Sequence, residues 1–325
     1  MLIILKNIAK KVLGRGAFFF GDKNDRFVFL FHDISEHSTP HHSDQYSTSP
    51  KKFYEIINYL TKKFEFTNIE TILSRSSKSS AGKPLATITF DDGFYSVFQI
   101  AYPHLLKQKI PFTVFINKQA VCMNQIWFTN LILNKNDDKY WKKFYEGAIK
   151  KNSISLSELR QSEIWKIFRC IKEDVLGNLY DFVNIDSEKF GKVFCDINDL
   201  YEMKSSGLVS IHSHSTNHFI LSECSTDLSY KELKENKLFV ESITGKTDDH
   251  FAFPFGKANH FDLRVVEQCK DLSYKHVFST IPNSFNIKNF ENSQPKVVPR
   301  ISIANQKIWE MKFMINMSIF NKRNS

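Results

Sequence analysis

Two short segments of this 325-residue chain carry residue types and spacings suited to hydrolytic chemistry. The first is Asp91-Asp92-Gly93, directly after the apolar run at 85–90. Adjacent carboxylates at a strand end repel each other and are tolerated best where a cation or a positive side chain holds them. Gly93 permits the tight turn that would aim both inward. The competing reading is an ordinary Asp-Asp-Gly turn in solvent, which the apolar run before the pair disfavours. The second segment is His212-Ser213-His214-Ser215-Thr216-Asn217-His218. His214 and His218 are four apart, so on a helical turn they share a face and can reach one metal ion. One carboxylate and two imidazoles make a catalytic zinc set with an open position for water. His212 is a competing ligand. His37, His41 and His42 fall in the polar stretch 37–44 and read as solvated.

These residues need a frame, and the hydrophobic pattern supplies one. Apolar runs at 26–31, 85–90, 111–116, 208–211, 251–253, 276–279 and 297–303 read as strands. Helical periodicity at 52–64, 97–108, 230–242, 262–270 and 307–320 separates or follows them. Strand and helix alternate, which argues for parallel strands with crossover helices. In a parallel α/β barrel the loops after the strands share one face and build the site. The aspartates, the histidines and a third segment, Phe251-Ala252-Phe253-Pro254-Phe255-Gly256, all sit in or just after such runs. A Lys-rich stretch at about 126–205 reads as a helical insertion. The expected layout is an N-terminal amphipathic helix over 1–25 and one catalytic domain over 26–325.

Composition narrows the function classes. Hydrophobic residues are 42% and charged residues 24%, an ordinary globular balance that excludes wholesale disorder. The 31 Phe residues predict a core packed largely by Phe rings. Lys plus Arg is 44 and Asp plus Glu is 35, so the net charge is 44 − 35 = +9. That favours anionic partners or a Lys-rich solvated surface. No basic run with interleaved aromatics suggests a nucleic-acid groove, so no nucleic-acid partner is expected. Five scattered cysteines without a CxxC argue against a disulfide framework or structural zinc. At the N-terminus the lysines follow a short apolar run instead of preceding it. That is neither a membrane span nor a secretory signal. Leu5, Ile8, Val12 and Leu13 have helical spacing, for a helix that packs on the domain or lies on anionic membrane. A cytoplasmic protein, peripheral to the membrane in the second case, is the expectation.

The three ordered segments resemble the motifs of the polysaccharide deacetylases, the NodB-like, carbohydrate esterase family 4 type. Thr89-Phe90-Asp91-Asp92-Gly93 matches the family's T-F-D-D-G. His214-Ser215-Thr216-Asn217-His218 matches H-[ST]-x-x-H, and Pro254-Phe255-Gly256 looks like the P-x-G of its third motif. Phe29 to Ser35, with His32, is similar to the opening of one branch, and the likeness runs over about 26–120 and 200–305. The resemblance implies a distorted (β/α) barrel and a metal-dependent hydrolase removing an N-acetyl group from an amino sugar. Its substrate would be a surface polysaccharide or a lipid- or nucleotide-linked precursor. It implies Asp91 as general base, and Asp92, His214 and His218 as ligands of a divalent metal, Zn2+ by ligand type. Two family features are missing. Ala252 stands where many members have an arginine that orients the base, and no late L-x-H supplies an acid. Arg300, after the last strand, is the expected replacement for the first. His32, ending the first strand, is the expected replacement for the second, with His276 a weaker choice. A deformylase or other C–N amide hydrolase on the same site, and a degenerate glycan-binding protein, are the alternatives.

Overall fold

A computed structural model describes residues 24–183, 190–287 and 295–323. The helix expected over 1–25 lies outside the described residues except for its last two, and Asp25 already opens a strand.

The strand runs fold where their composition places them. They are β1 Asp25–Phe31, β2 Leu85–Phe90, β3 Phe112–Ile116, β4 Val209–Ser213, β5 His250–Ala252 and β6 His276–Phe278. All are parallel and hydrogen-bonded in chain order. The run at 297–303 is not one strand. It splits into β7 Lys296–Val298, paired with β6, and β8 Ile301–Ser302, paired with β1. Pro299 and Arg300 form the break, since proline has no amide hydrogen to donate to a ladder. One kinked segment thus bonds to both ends of the sheet and nearly closes a barrel of eight strands.

Both faces of the sheet are covered, so the strands are apolar on both sides. In β1, Phe27, Phe29 and Phe31 pack in the main helix-facing core, and Val28 packs in a separate interior cluster with Phe115, Ala252 and Phe278. The outer layer begins with α1 Pro50–Leu60, which buries Phe53, Ile56, Ile57 and Leu60. Ser49 caps it by accepting from Lys52 N, and Pro50 opens its first turn. α2 Ile69–Leu73 is short and buries Ile69, Ile72 and Leu73 in the interior cluster, at the end where the strands begin. The outer layer continues through α3 Tyr102–Lys107 and α4 Lys118–Met123.

Between β3 and β4, after α4, the described residues form α5 Trp127–Leu133, α6 Asp138–Ala148, α7 Leu156–Gln161, α8 Ile164–Cys170, α9 Tyr180–Val183 and α10 Ile197–Ser205. Trp127, Trp141, Phe144 and Phe168 anchor this excursion to the core. Then follow α11 Thr226–Thr244, α12 Leu263–Asp271 and α13 Ile308–Arg323. Among the described residues no helix is long and apolar enough to cross a membrane.

Candidate active site and metal centre

The site is built from the loops after β2, β4 and β5 and from the break between β7 and β8. Asp91 and Asp92 follow β2 directly and are each 1% exposed. Asp92 and Gly93 both hold left-handed backbone, with φ of 72° and 73°. At Gly93 a Cβ would stand 3.1 Å from the Ile116 side chain, so a larger residue would press on Ile116 as well as strain φ. The Asp91 amide donates to Phe31 O at 3.1 Å and is not free for an oxyanion.

Arg300 fills the first gap in geometric terms. It is fully buried, and its Nη1 and Nη2 donate to Asp91 Oδ1 and Oδ2 at 2.6 and 2.8 Å. Its Nε donates to Ser279 O at 3.1 Å, and its guanidinium carbon lies 5.4 Å from the Phe115 ring centre. A planar fork matched to a carboxylate fixes both distance and plane. Burial opposes ionisation of Asp91, but the Arg300 guanidinium and then His214 outweigh it and hold the carboxyl below its usual range.

The histidine loop differs from expectation. Residues 214–218 are not helical. Ser215 and His218 have φ of 68° and 58°, and Ser215 Oγ accepts from His218 N at 3.1 Å. A tight turn, not a helix face, brings the imidazoles together. His214 Nε2 and His218 Nε2 stand 3.4 and 3.2 Å from Asp92 Oδ1. His214 Nδ1 bonds to Ala252 O at 2.7 Å. A carbonyl only accepts, so Nδ1 carries the hydrogen and Nε2 presents a lone pair.

This donor set fits a cation. One ligand atom each from Asp92, His214 and His218 lies within 4.8 Å of the others, and all three residues are buried. Asp92 Oδ1 and His214 Nε2 are buried acceptors with no hydrogen-bond partner. Two imidazoles and a carboxylate form the three-ligand arrangement of catalytic zinc sites. Burial opposes ionisation of Asp92, but the two histidines outweigh it and hold the carboxyl well below its ordinary value.

Four non-glycine residues around the site, Asp92, Ser215, His218 and Phe255, hold left-handed backbone. Each costs about 1–2 kcal/mol for an L-residue, a strain common at functional sites. Buried hydrogen bonds hold the histidine loop in this state. Asn117, just past β3, donates to His214 O and to Ser215 O, the latter at 3.0 Å. Glu232 of α11 accepts from Asn217 N at 2.7 Å and Asn217 Nδ2 at 2.5 Å. Burial pushes the Glu232 carboxyl up to about 7 despite those bonds. The sequence offered one cue to Asn117, its place at a strand end, and none to Glu232.

His32 directly follows β1 and lines the cavity above the aspartates, with Nε2 4.0 Å from Asp91 Oδ2. Burial lowers its pKa against the opposing pull of Asp92 and Asp91. Two other histidine readings change. His212 turns away from the centre: its Nδ1 bonds to Asp248 Oδ1 at 2.7 Å. His276 opens β6, at the opposite end of the strand from the site loops. In the 37–44 loop only His37 is exposed. His41 stacks on Phe94 and stands 3.5 Å from buried Asp33, and the His42 side chain is 8% exposed. Asp33 draws them in, because a fully buried carboxylate needs donors around it.

The cavity over Asp92 and His218 is walled by the helical insertion on one side. Phe128 of α5 packs edge-on to His218 at 5.0 Å, and Trp165 of α8 lines the opening. Phe255, Lys257 and His260 line the other side. Gly256 is required there, since a Cβ at its φ of 63° would stand 2.8 Å from Thr280 N.

Comparison with known proteins agrees with this architecture. Residues 78–277 match the family model described as polysaccharide deacetylase. No curated protein sequence matches. Among solved structures, a Streptococcus pyogenes deacetylase in complex with acetate is 16% identical, covering 88% of this chain and 96% of its own, at TM-score 0.58. IcaB from Ammonifex degensii is 16% identical, covering 89% and 95%, at 0.56. A de-N-acetylase from Aggregatibacter actinomycetemcomitans is 15% identical, covering 90% and 100%, at 0.58. At such identities these structures speak to the fold.

Proposed function

The chain belongs to the polysaccharide deacetylase family, and from that premise we propose a metal-dependent mechanism for N-acetyl hydrolysis on its own residues. The observation that carries the proposal is the two-point Arg300–Asp91 pair beside the Asp92, His214 and His218 cluster. Those three residues would hold a divalent ion, zinc by donor type, which when bound polarises the acetamide carbonyl and lowers the pKa of water.

Asp91 is the base. Arg300 keeps it ionised and fixes its plane, so a carboxylate oxygen takes the water proton as the oxygen attacks the carbonyl carbon. A carboxyl held this acidic releases the proton readily. His32 Nε2, at 4.0 Å, receives it and passes it to the leaving nitrogen. The C–N bond breaks to give acetate and a free amino sugar. A neutral imidazole at rest suits this relay, because it can accept before it donates.

The substrate we propose is an N-acetylated sugar in a surface polysaccharide or in its lipid- or nucleotide-linked precursor, met at the cytoplasmic membrane face. At the cavity mouth Lys257 could meet an anionic neighbour of the reacting sugar, whereas Lys166 and Arg169 already pair with Glu163 and Glu223. Lys166, Arg169 and Lys257 stand 5.2 to 5.9 Å from the Trp165 ring centre, a flat apolar platform with a cationic edge. The test is acetate release from a panel of free, UDP-linked and lipid-linked N-acetyl sugars, with metal-loaded protein and Asp91→Ala side by side. Release that disappears in Asp91→Ala supports the mechanism and identifies the sugar. Equal release by both proteins sinks the role given to Asp91.

A further inference from the structure

A second histidine and carboxylate cluster lies inside the same barrel, at the level where β5 and β6 begin. His212 lies on β4, and His250 and His276 open β5 and β6. Their rings meet edge-on or tilted across neighbouring strands, with centres 4.6 Å apart for His212 and His250 and 5.1 Å for His250 and His276. Glu70 reaches them from the first turn of α2. The Phe115 ring separates this cluster from the deacetylation site. Arg300 lies against that ring at 5.4 Å and the His212 ring is 6.0 Å from it.

We propose that Glu70, His212 and His250 form a second divalent-cation site, of the zinc class, tying α2 to β4 and β5. The inference does not rest on the deacetylase reading. One ligand atom from each residue lies within 4.8 Å of the other two. Asp248 is fully buried side chain to side chain with His212, accepting at 2.7 Å from Nδ1 and also from Ser213 N at 3.1 Å. A carboxylate bonded to backbone N–H groups accepts, so Nδ1 carries the hydrogen and Nε2 is left as an acceptor. That Nε2 is buried, has no hydrogen-bond partner, and faces Glu70 Oε1 at 3.9 Å. Two acceptors aimed at each other repel unless a cation stands between them. A carboxylate behind a ligating histidine is the recurrent outer support of zinc sites.

His250 supplies the third donor. It is 6% exposed and its Nδ1 has no partner. Zinc–ligand bonds of about 2.0–2.1 Å put tetrahedral donors about 3.4 Å apart. The cluster must tighten slightly to reach that, and Glu70, 58% exposed along its side chain, is able to move. The same exposure gives the ion its way in. Two imidazoles favour zinc, cobalt, nickel or copper over magnesium or calcium.

The test strips the full-length protein with a chelator and adds back Zn2+ or Co2+ alone. Bound metal is counted by equilibrium dialysis and elemental analysis. Wild type is expected to bind two equivalents, and Asp92→Asn/His214→Asn one. Glu70→Gln should also bind one, with affinity for the second lowered at least tenfold. Glu70 is exposed, so its glutamine variant keeps the core intact and its deacetylase turnover stays within twofold of wild type. One equivalent in wild type, retained by Glu70→Gln and lost in Asp92→Asn/His214→Asn, overturns the proposal. That outcome would mean a proton, not a metal, sits between His212 and Glu70. Two equivalents retained in both Glu70→Gln and His250→Asn overturn it as well.

Discussion

The two ends of this barrel hold nearly the same donors in different settings. At the strand C-termini, Asp92, His214 and His218 are all buried, and Asp91 with its Arg300 partner stands beside them under an open cavity. At the level where β5 and β6 begin, Glu70, His212 and His250 include one exposed member, and the neighbouring carboxylate Asp248 is fully engaged behind a histidine. In the proposed mechanism the first cluster has a base beside it and room for a substrate. The second has neither, and it joins a helix to two strands. Ligand type alone does not distinguish a reacting centre from a fastening. The nearby carboxylate does: at one end it is held by an arginine with His32 Nε2 at 4.0 Å, and at the other it is consumed in orienting an imidazole.

The comparison can be broken by substitution. The largest effect is expected from Asp92→Asn/His214→Asn, which should lower turnover to the buffer rate while leaving the other equivalent of metal in place, read by dialysis and acetate assay together. Asp91→Asn comes next. Turnover should fall about 100- to 10,000-fold, the range for losing a general base, with both equivalents of metal retained. If metal is lost as well, Asp91 belongs to the ligand set and the distinction between the two clusters narrows. Arg300→Met leaves Asp91 buried and unpaired, which should cost about 3–5 kcal/mol of stability in chemical denaturation. Arg300→Lys should recover part of the stability and less of the turnover, since an ammonium cannot match both oxygens. His32→Ala should lower kcat and alter its pH profile. An unchanged profile removes His32 from the proton path.

The mildest prediction concerns the support of the histidine loop. The Glu232 carboxyl is raised to about 7, above its value of about 4.3 in an unfolded chain. The folded state therefore binds the extra proton between those values. Its stabilising effect is complete below about 4.3 and is lost as pH rises through 7. Glu232→Gln should flatten that decline in thermal melts between pH 5 and 8. A slope unchanged in the variant assigns it to another group.

Much of this was legible because the chemistry is local. Asp91 and Asp92 follow an apolar strand without a gap, and Pro254-Phe255-Gly256 follows another, so motif and scaffold occupy one stretch of sequence. Arg300 was legible as a strand-end cation. Its role toward Asp91, 209 positions away, was legible through the resemblance, whereas the two-point geometry was not, since that depends on barrel closure. The histidine spacing suggested a helical turn, but left-handed backbone at Ser215 and His218 makes a tighter one. Asn117 and Glu232 act through backbone and amide bonds from other elements, and no spacing reveals that. The Glu70, His212 and His250 cluster was hidden for the same reason. Its members come from a short helix and two strands, and only the stagger of the sheet puts them at one height.

The kinked closing strand also gives the enzyme a schedule during synthesis. Asp91 is made 209 residues before the arginine that neutralises it, and β8, which seals β1, follows Arg300 immediately. At about 5–20 residues per second that interval is about 10–40 s. Throughout it Asp91 lacks its counter-charge and β1 lacks β8. Closing the barrel and pairing Asp91 are therefore one event, and a chain ending before residue 300 is expected to keep Asp92, His214 and His218 yet show no deacetylase turnover.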